Sequence, residues 1–313
     1  MGYLAVDFGG TRTRAAWYTD ELEMVKRSET PSQVNQPGDI VIRRILDIAR
    51  AVVPEGEKPH AVGIAGPGPL DPTSGIIYYA HTLPGWKDVP LVNFLSLAFE
   101  KAPTFMQNDR NLAALAEYHL GAGRGADPMV YMTISTGIGG GAVISGRLFT
   151  GGSGMAIEPG HLRFTLPDGS ILRLEELASG TGLARQALRR LENTDEPSSL
   201  REAGEVTGRA VGEAAQAGDA LALAVVSEAG QWLGLGLTNI VHLLNPQAIV
   251  MGGSVSGLGN LLLEPAMTVL KREALHRRFV PDNLLRTAAL GDDVCLMGAA
   301  LWAREQLQGQ SGL

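Results

Sequence analysis

Tyr3-Leu4-Ala5-Val6-Asp7-Phe8-Gly9-Gly10-Thr11-Arg12-Thr13-Arg14-Ala15-Ala16-Trp17-Tyr18 reads as an apolar strand, a glycine turn and a second apolar strand. Gly9 and Gly10 permit a tight turn whose N–H groups can face an anion, and Thr11 adds a hydroxyl donor. Asp7, at the strand end, suits a hydrated magnesium ion. An ordinary hairpin with a glycine turn would read the same way. The design returns in the second half of the chain. Met129 to Ile134 is a strand, Ser135-Thr136-Gly137-Ile138-Gly139-Gly140-Gly141 is glycine-rich, and Ala142-Val143-Ile144 is apolar again. One such hairpin in each half predicts two related lobes with a phosphate chain between them. No lysine-bearing G-x-x-x-x-G-K-[ST] loop occurs, so a nucleotide would be held by paired glycine hairpins.

Between the hairpins lies Phe105-Met106-Gln107-Asn108-Asp109. Phe105 and Met106 end a buried strand, and Asn111 to Tyr118 has good helix formers and no breaker. Asn108 and Asp109 therefore stand where a strand hands over to a helix. A carboxylate there faces the positive end of the helix dipole, which favours its ionised form. An ionised Asp beside an amide suits a sugar hydroxyl, one group taking the proton and the other fixing the oxygen. A plain helix cap needs the same residue types.

Composition sets the outer bounds. At 313 residues, 45% hydrophobic, the chain is near the size where one core divides into two, so two domains or two lobes are expected. A net charge of -7 and the lack of any Lys/Arg run argue against a nucleic-acid surface. The single Cys295 excludes an internal disulfide and fits a reducing, cytoplasmic compartment. The N-terminus runs straight into a strand, so no signal peptide is expected, and no apolar run approaches a membrane span.

The remaining elements follow from period and punctuation. Asp39 to Val53 is helical, with an apolar stripe of Ile40, Ile42, Ile45, Leu46, Ile48 and Ala49, and Pro54 stops it. Ala61 to Ala65 is a buried strand opening into the stiff loop Gly66-Pro67-Gly68-Pro69-Leu70-Asp71. Leu83-Pro84-Gly85-Trp86 is a similar loop, whose Trp packs either a sugar face or the interior. Gly121-Ala122-Gly123-Arg124-Gly125-Ala126 matches the dinucleotide pattern but follows a helix, so it is a helix end and loop. Glu158 and His161 form an isolated polar pair, with too few ligands nearby for a metal centre. Helices are expected at 181–191, 204–216 and 219–244, the last as one helix or two. Ala248 to Met251 is a strand, and Gly252-Gly253 after it could admit an adenine or ribose beside the backbone. A helix from Leu296 to Leu307 closes the chain, with a frayed tail.

In order and spacing, these motifs resemble the sugar kinases of the ROK family (repressor, open reading frame, kinase). The match runs through Asp7-x-Gly-Gly-Thr11, Gly66-Pro-Gly68, Leu83-Pro-Gly-Trp86, Asn108-Asp109, Gly121-Ala-Gly-Arg-Gly125, Thr136-Gly-Ile-Gly-Gly-Gly141, Glu158-Pro-Gly-His161, Glu175 with Ala178-Ser179-Gly180, and Gly252-Gly253. The resemblance implies a two-lobed α/β fold of the actin/hexokinase-like (ribonuclease H-like) ATPase kind, with an interlobe cleft. Residues 1–107, completed by a C-terminal helix at about 296–308, would form the small lobe, and 108–295 the large one. It further implies ATP-dependent phosphorylation of a hexose 6-hydroxyl, most often of D-glucose, with N-acetylglucosamine, N-acetylmannosamine or fructose as alternatives, in a homodimer.

The same resemblance assigns roles. Asp109 would be the general base, with Asn108 and Gly68 beside the sugar. Glu158, His161 and Glu175 would hold the far side of the ring. Gly9, Gly10 and Thr11 would line one side of the ATP phosphates, and Thr136 with Gly137 the other. Asp7 would act through magnesium, and Gly252 and Gly253 would flank the adenosine. Sugar-sensing regulators of the family carry a helix-turn-helix before the first hairpin, and only six residues precede Asp7 here.

There is one departure. The family's zinc knuckle, C-x-C-G-x-x-G-C-x-E, reads Leu166-Pro-Asp168-Gly-Ser-Ile-Leu-Arg173-Leu-Glu175 in this chain. Without those cysteines no zinc site is expected. His161 must then be positioned by other means, and an Asp168–Arg173 pair is expected to brace the loop.

Overall fold

A computed structural model of the chain describes residues 2–78 and 86–311. It divides into two compact units, each built on a five-stranded sheet.

The first unit comprises Met1–Gly121, Leu148–Ala156 and Leu290–Leu313. Its strands are β1 (Gly2–Phe8), β2 (Arg12–Tyr18), β3 (Met24–Pro31), β4 (Pro59–Gly66) and, beyond the short pair β5 (Leu70–Asp71) and β6 (Ile76–Ile77), β7 (Thr104–Asn108). The order across the sheet is β3-β2-β1-β4-β7. β2 runs antiparallel to β1 and β3, whereas β1, β4 and β7 run parallel. Every residue of β1 is buried because both of its faces are covered. Leu4, Val6 and Phe8 face one core, and Tyr3 and Ala5 face another, by the two-residue period of a strand.

Helix α1 (Gly38–Val52) covers the first face through Val41, Ile45, Ile48, Ala49 and Val52. Ile40, expected in that stripe, turns outward, because the buried stripe is centred on Val41. Trp86 is fully enclosed in this core and stacks on the Phe8 ring at 4.7 Å, so the interior reading of that Trp holds. Leu83, Pro84 and Gly85 lie outside the described residues. After α2 (Leu91–Ala98), helix α3 (Asp109–Leu120) packs with the C-terminal helix Val294–Ser311 on the other face. The approach is backbone-close. A Cβ on Gly63 would fall 1.9 Å from the Ala299 carbonyl oxygen, and one on Gly298 2.1 Å from that of Leu112. The first unit therefore runs one helix past the sequence boundary at 107. The C-terminal helix also continues to Ser311, where a frayed tail was expected from Gln308.

The second unit comprises Ala122–Arg147 and Ile157–Ala289. Its sheet repeats the plan of the first. β8 (Met129–Ile134) and β9 (Ile138–Ile144) form an antiparallel hairpin, with β10 (Arg147–Phe149) outside it. After the small hairpin of β11 (Arg163–Thr165) and β12 (Ile171–Arg173) come α4 (Leu174–Ala178), α5 (Gly180–Asn193), α6 (Gly208–Gln216) and α7 (Ala220–Leu244). Then β13 (Ala248–Gly252), α8 (Asn260–Glu273) and β14 (Leu285–Thr287) complete the order β10-β9-β8-β13-β14, with β13 parallel to both neighbours.

α7 is one continuous helix. Asp219 caps it by accepting the Ala222 N–H at 3.0 Å, and Asn245 ends it in the left-handed region at φ 42°. Against the sequence expectation, α7 is long and apolar enough by length and composition to cross a membrane. Leu221, Val225, Ala229, Leu233, Leu237 and Val241 belong to the core of the unit, which accounts for that apolarity.

Candidate active site

In the first unit the relevant groups gather at the carboxyl ends of the parallel strands, where open α/β sheets bind ligands. Asp7 stands one residue before the end of β1, Gly66 ends β4, and Asn108 ends β7, with Asp7 level with Ala65 and Gly66 level with Asn108. Asn108 caps α3, its Oδ1 accepting the Arg110 N–H at 3.0 Å. Asp109 is the first residue of the helix, and its Oδ1 accepts the same N–H at 2.8 Å. Both side chains thus serve the same N–H at the start of the helix. The Asp109 side chain keeps 37% of its surface accessible, so a substrate atom can reach it. Crowding by protein nevertheless raises its carboxyl above the ordinary aspartate range, against Arg110, whose charge and N–H pull it down. Gly68 lies against the Asn108 amide, where a Cβ would sit 2.9 Å from Nδ2.

Asp7 is 6% exposed and lies directly across the hairpin from Arg14. The Arg14 Nε donates to Asp7 Oδ2 at 3.0 Å, and Nη2 pairs with the same oxygen. Burial pushes the Asp7 carboxyl up to about 6; the charge of Asp109 adds to the rise and Arg14 opposes it. Arg14 also donates to the Asp292 carbonyl and stands 3.8 Å from Asp293, which Arg27 holds at 2.8 Å. Gly9, Gly10 and Thr11 form the turn itself, closed by the Gly9 N–H on the Arg12 carbonyl at 3.1 Å, and Thr11 is exposed. Cys295 donates to the Asp109 carbonyl at 3.6 Å, and burial pushes its thiol well above the ordinary range. The sequence reading passed over Arg14, although the register of a two-residue-period hairpin sets it opposite Asp7.

In the second unit, Thr136 is exposed at the tip of the β8–β9 turn, and its carbonyl accepts the Thr181 hydroxyl at 2.8 Å. The Glu175 carboxylate lies beside Gly137, with Oε2 3.2 Å from where a Cβ on that glycine would stand. Glu158 and His161 are exposed at the two ends of the 3-10 turn Pro159–His161, the His161 N–H donating to the Glu158 carbonyl at 3.1 Å. A cavity of about 620 Å³ opens next to Thr136, lined also by Ser135, Thr181, Thr207, Arg209, Glu213 and Ser254. Gly252 and Gly253 do not line it; they precede its lining residue Ser254 and pack closely on β8. A Cβ on Gly252 would strike the Tyr131 hydroxyl at 2.4 Å, and Gly253 has φ +86° with the Ile134 carbonyl 2.3 Å from its Cβ position. Thr207, Arg209 and Glu213, on and before α6, were not legible as site residues, since nothing in their spacing sets them apart from an ordinary polar helix face.

The stretch that departs from the zinc pattern forms the β11–β12 hairpin, turned by Gly169 at φ +82°. Asp168 does not pair with Arg173. It accepts the Ser170 N–H at 2.9 Å and the Ser170 hydroxyl at 2.6 Å inside that turn. Arg173 instead holds Glu175 at 2.9 Å and Glu176 at 3.1 Å. An Asp two residues before a Ser bonds locally, because a turn brings the two together at little entropic cost.

Two matching sheets, each with a glycine-turned hairpin followed by parallel strands, define the α/β class of actin and hexokinase. The family model for ROK matches residues 3–306, and the chain belongs to the ROK family, among its sugar kinases. It is 35% identical to a glucokinase of Halalkalibacterium halodurans over 97% of this chain and 95% of that one. It is 34% identical to an N-acetylmannosamine kinase of Citrobacter koseri, over 97% and 99%. Among solved structures it resembles a ROK family glucokinase from Streptomyces griseus in complex with glucose and AMPPNP, with TM-score 0.79 and 31% identity over 97% of this chain and 100% of that one.

Proposed function

We propose that the chain transfers the γ-phosphoryl group of ATP to the 6-hydroxyl of a hexose, D-glucose before others. The observation that carries this reading is Asp109, an accessible carboxylate at the start of α3 with Asn108 at its side and the Asp7 turn close by. Asp109 takes the hydroxyl proton as the sugar oxygen attacks the γ-phosphorus and ADP leaves. Its raised pKa brings it nearer the neutral range where a base is most effective, and such assistance is worth about 10²- to 10⁴-fold. Asn108 holds a neighbouring hydroxyl, and Gly68 makes room for that amide. Glu158, His161 and Glu175 bind the rest of the ring. The N–H groups at Gly10 and Thr11, in the turn that Gly9 closes, and those at Thr136 and Gly137, receive phosphate oxygens, while the cavity beside Thr136 takes the nucleoside. Phosphoryl transfer depends chiefly on such alignment and charge stabilisation.

Asp7 fits magnesium. A single buried carboxylate with both Arg14 bonds on Oδ2 leaves Oδ1 for a water of the ion, and magnesium binds through few carboxylates, its own waters and phosphate. When bound, the ion would neutralise phosphate charge.

The second reading, an N-acetylmannosamine kinase, is favoured by the 34% relative. A coupled assay with ATP and magnesium over glucose, fructose, mannose, N-acetylglucosamine and N-acetylmannosamine separates the two. Glucose is expected to give the highest kcat/KM. A higher value for N-acetylmannosamine selects the second reading, and no turnover of any sugar removes both.

A further inference from the structure

Arg173 ends β12, and the structure holds its backbone from two sides. Its N–H donates to Glu176 Oε2 at 3.0 Å, and the next N–H, of Leu174, donates to the Leu162 carbonyl at 2.8 Å. The hairpin register sets Arg173 opposite Arg163, so the side chain leaves from a fixed place. Its guanidinium then bridges two adjacent carboxylates, Nη1 to Glu175 Oε1 at 2.9 Å and Nε to Glu176 Oε2 at 3.1 Å. Arg185 steadies the far oxygen of Glu176 at 3.3 Å. Among the described residues no hydrogen bond takes Glu175 Oε2, the oxygen beside Gly137. A planar fork is the cationic shape able to serve both acids at once, and without it their like charges would push Glu175 off this position.

We propose that Arg173 is a positioning residue for the sugar: its guanidinium clamps one oxygen of Glu175 and keeps the other directed to a ring hydroxyl. This rests on the reading of Glu175 as a sugar contact. Arg173 itself touches no reacting atom, so its removal should loosen sugar binding and spare the chemical step.

The test is calorimetric D-glucose binding together with initial-rate kinetics on Arg173→Ala, Arg173→Lys, Glu175→Gln, Glu176→Gln and the double variant R173A/E175Q. Arg173→Ala should raise the glucose Kd and KM about tenfold, with kcat within about threefold and the ATP KM unchanged. Arg173→Lys, which reaches only one of the acids, should fall between Ala and the parent. Glu176→Gln should leave glucose affinity within about twofold. The double variant should bind glucose no more weakly than Glu175→Gln alone, because the two side chains act as one. A glucose Kd within twofold of the parent in Arg173→Ala, or full additivity in the double variant, overturns the proposal while Glu175 keeps its role. If Glu175→Gln binds glucose as the parent does, the sugar-contact reading fails and the proposal fails with it.

Discussion

Replacing Asp7 by Asn should make the ligand-free protein more stable at neutral pH while removing its activity. Burial pushes the Asp7 carboxyl from the ordinary 3.8 up to about 6, despite the ion pair with Arg14. A raised carboxylate pKa means that the folded state holds a proton the unfolded chain has already released. The contribution of Asp7 to stability therefore falls as pH rises from about 4 to about 6, then stays level. A rise from 3.8 to about 6, at about 1.36 kcal/mol for each pH unit, amounts to about 3 kcal/mol at neutral pH. Asn, a neutral isostere, avoids that cost, so about 3 kcal/mol is the upper limit of the gain. Urea unfolding of both proteins, free of nucleotide and magnesium, at pH steps from 4 to 8 measures it. The Asn variant should be the more stable above pH 6.5, with the advantage closing toward pH 4, while its turnover disappears. A variant less stable than the parent at pH 7, or a difference that does not change with pH, would refute the reasoning.

Asp109→Asn should lower kcat by about 10²-fold or more and leave glucose affinity by calorimetry within a few-fold; retention of most of the kcat would rule Asp109 out as the base. Gly68→Ala places a Cβ 2.9 Å from the Asn108 amide, so the glucose KM should rise several-fold, and an unchanged KM would detach Asn108 from the sugar. Trp86→Ala empties a fully buried site stacked on Phe8 and should cost about 3–5 kcal/mol in urea unfolding, a loss below 1 kcal/mol contradicting the packing described. A zinc-selective chelator should change neither kcat nor Tm in magnesium buffer, since Arg173 and the β11–β12 hairpin hold their segment without cysteine; loss of either would point to an unrecognised metal.

The paired hairpins were legible because strand, glycine turn and strand each leave a local mark, and the structure extends that repeat to five strands per sheet. The place of Asp109 at a strand–helix junction was legible for the same reason, since an apolar run changes its period there. What escaped was set by distant partners. Ile40 and Val41 are both apolar, and only the sheet beneath α1 decides which is covered. Trp86 needed Phe8, far earlier in the chain, to declare itself interior. Asp168 and Arg173 carry opposite charges at a suitable distance in sequence, yet Ser170 and Glu175 lie closer to each in space. α7 was expected to fall short of a membrane span and does not, because a helix surrounded by core has the composition of one surrounded by lipid.

The backbone-close seating of the C-terminal helix bears on the order of events during synthesis. The strands around Ala5, Ala61 and Ala65 leave the ribosome early, yet Leu296, Ala299 and Ala300, which cover them, are made long afterwards. Until that helix emerges, the strands made earlier keep one wet apolar surface, a state that invites chaperones or misassociation. Residues 157–289 carry most of the core of the other unit in one uninterrupted run and can condense sooner.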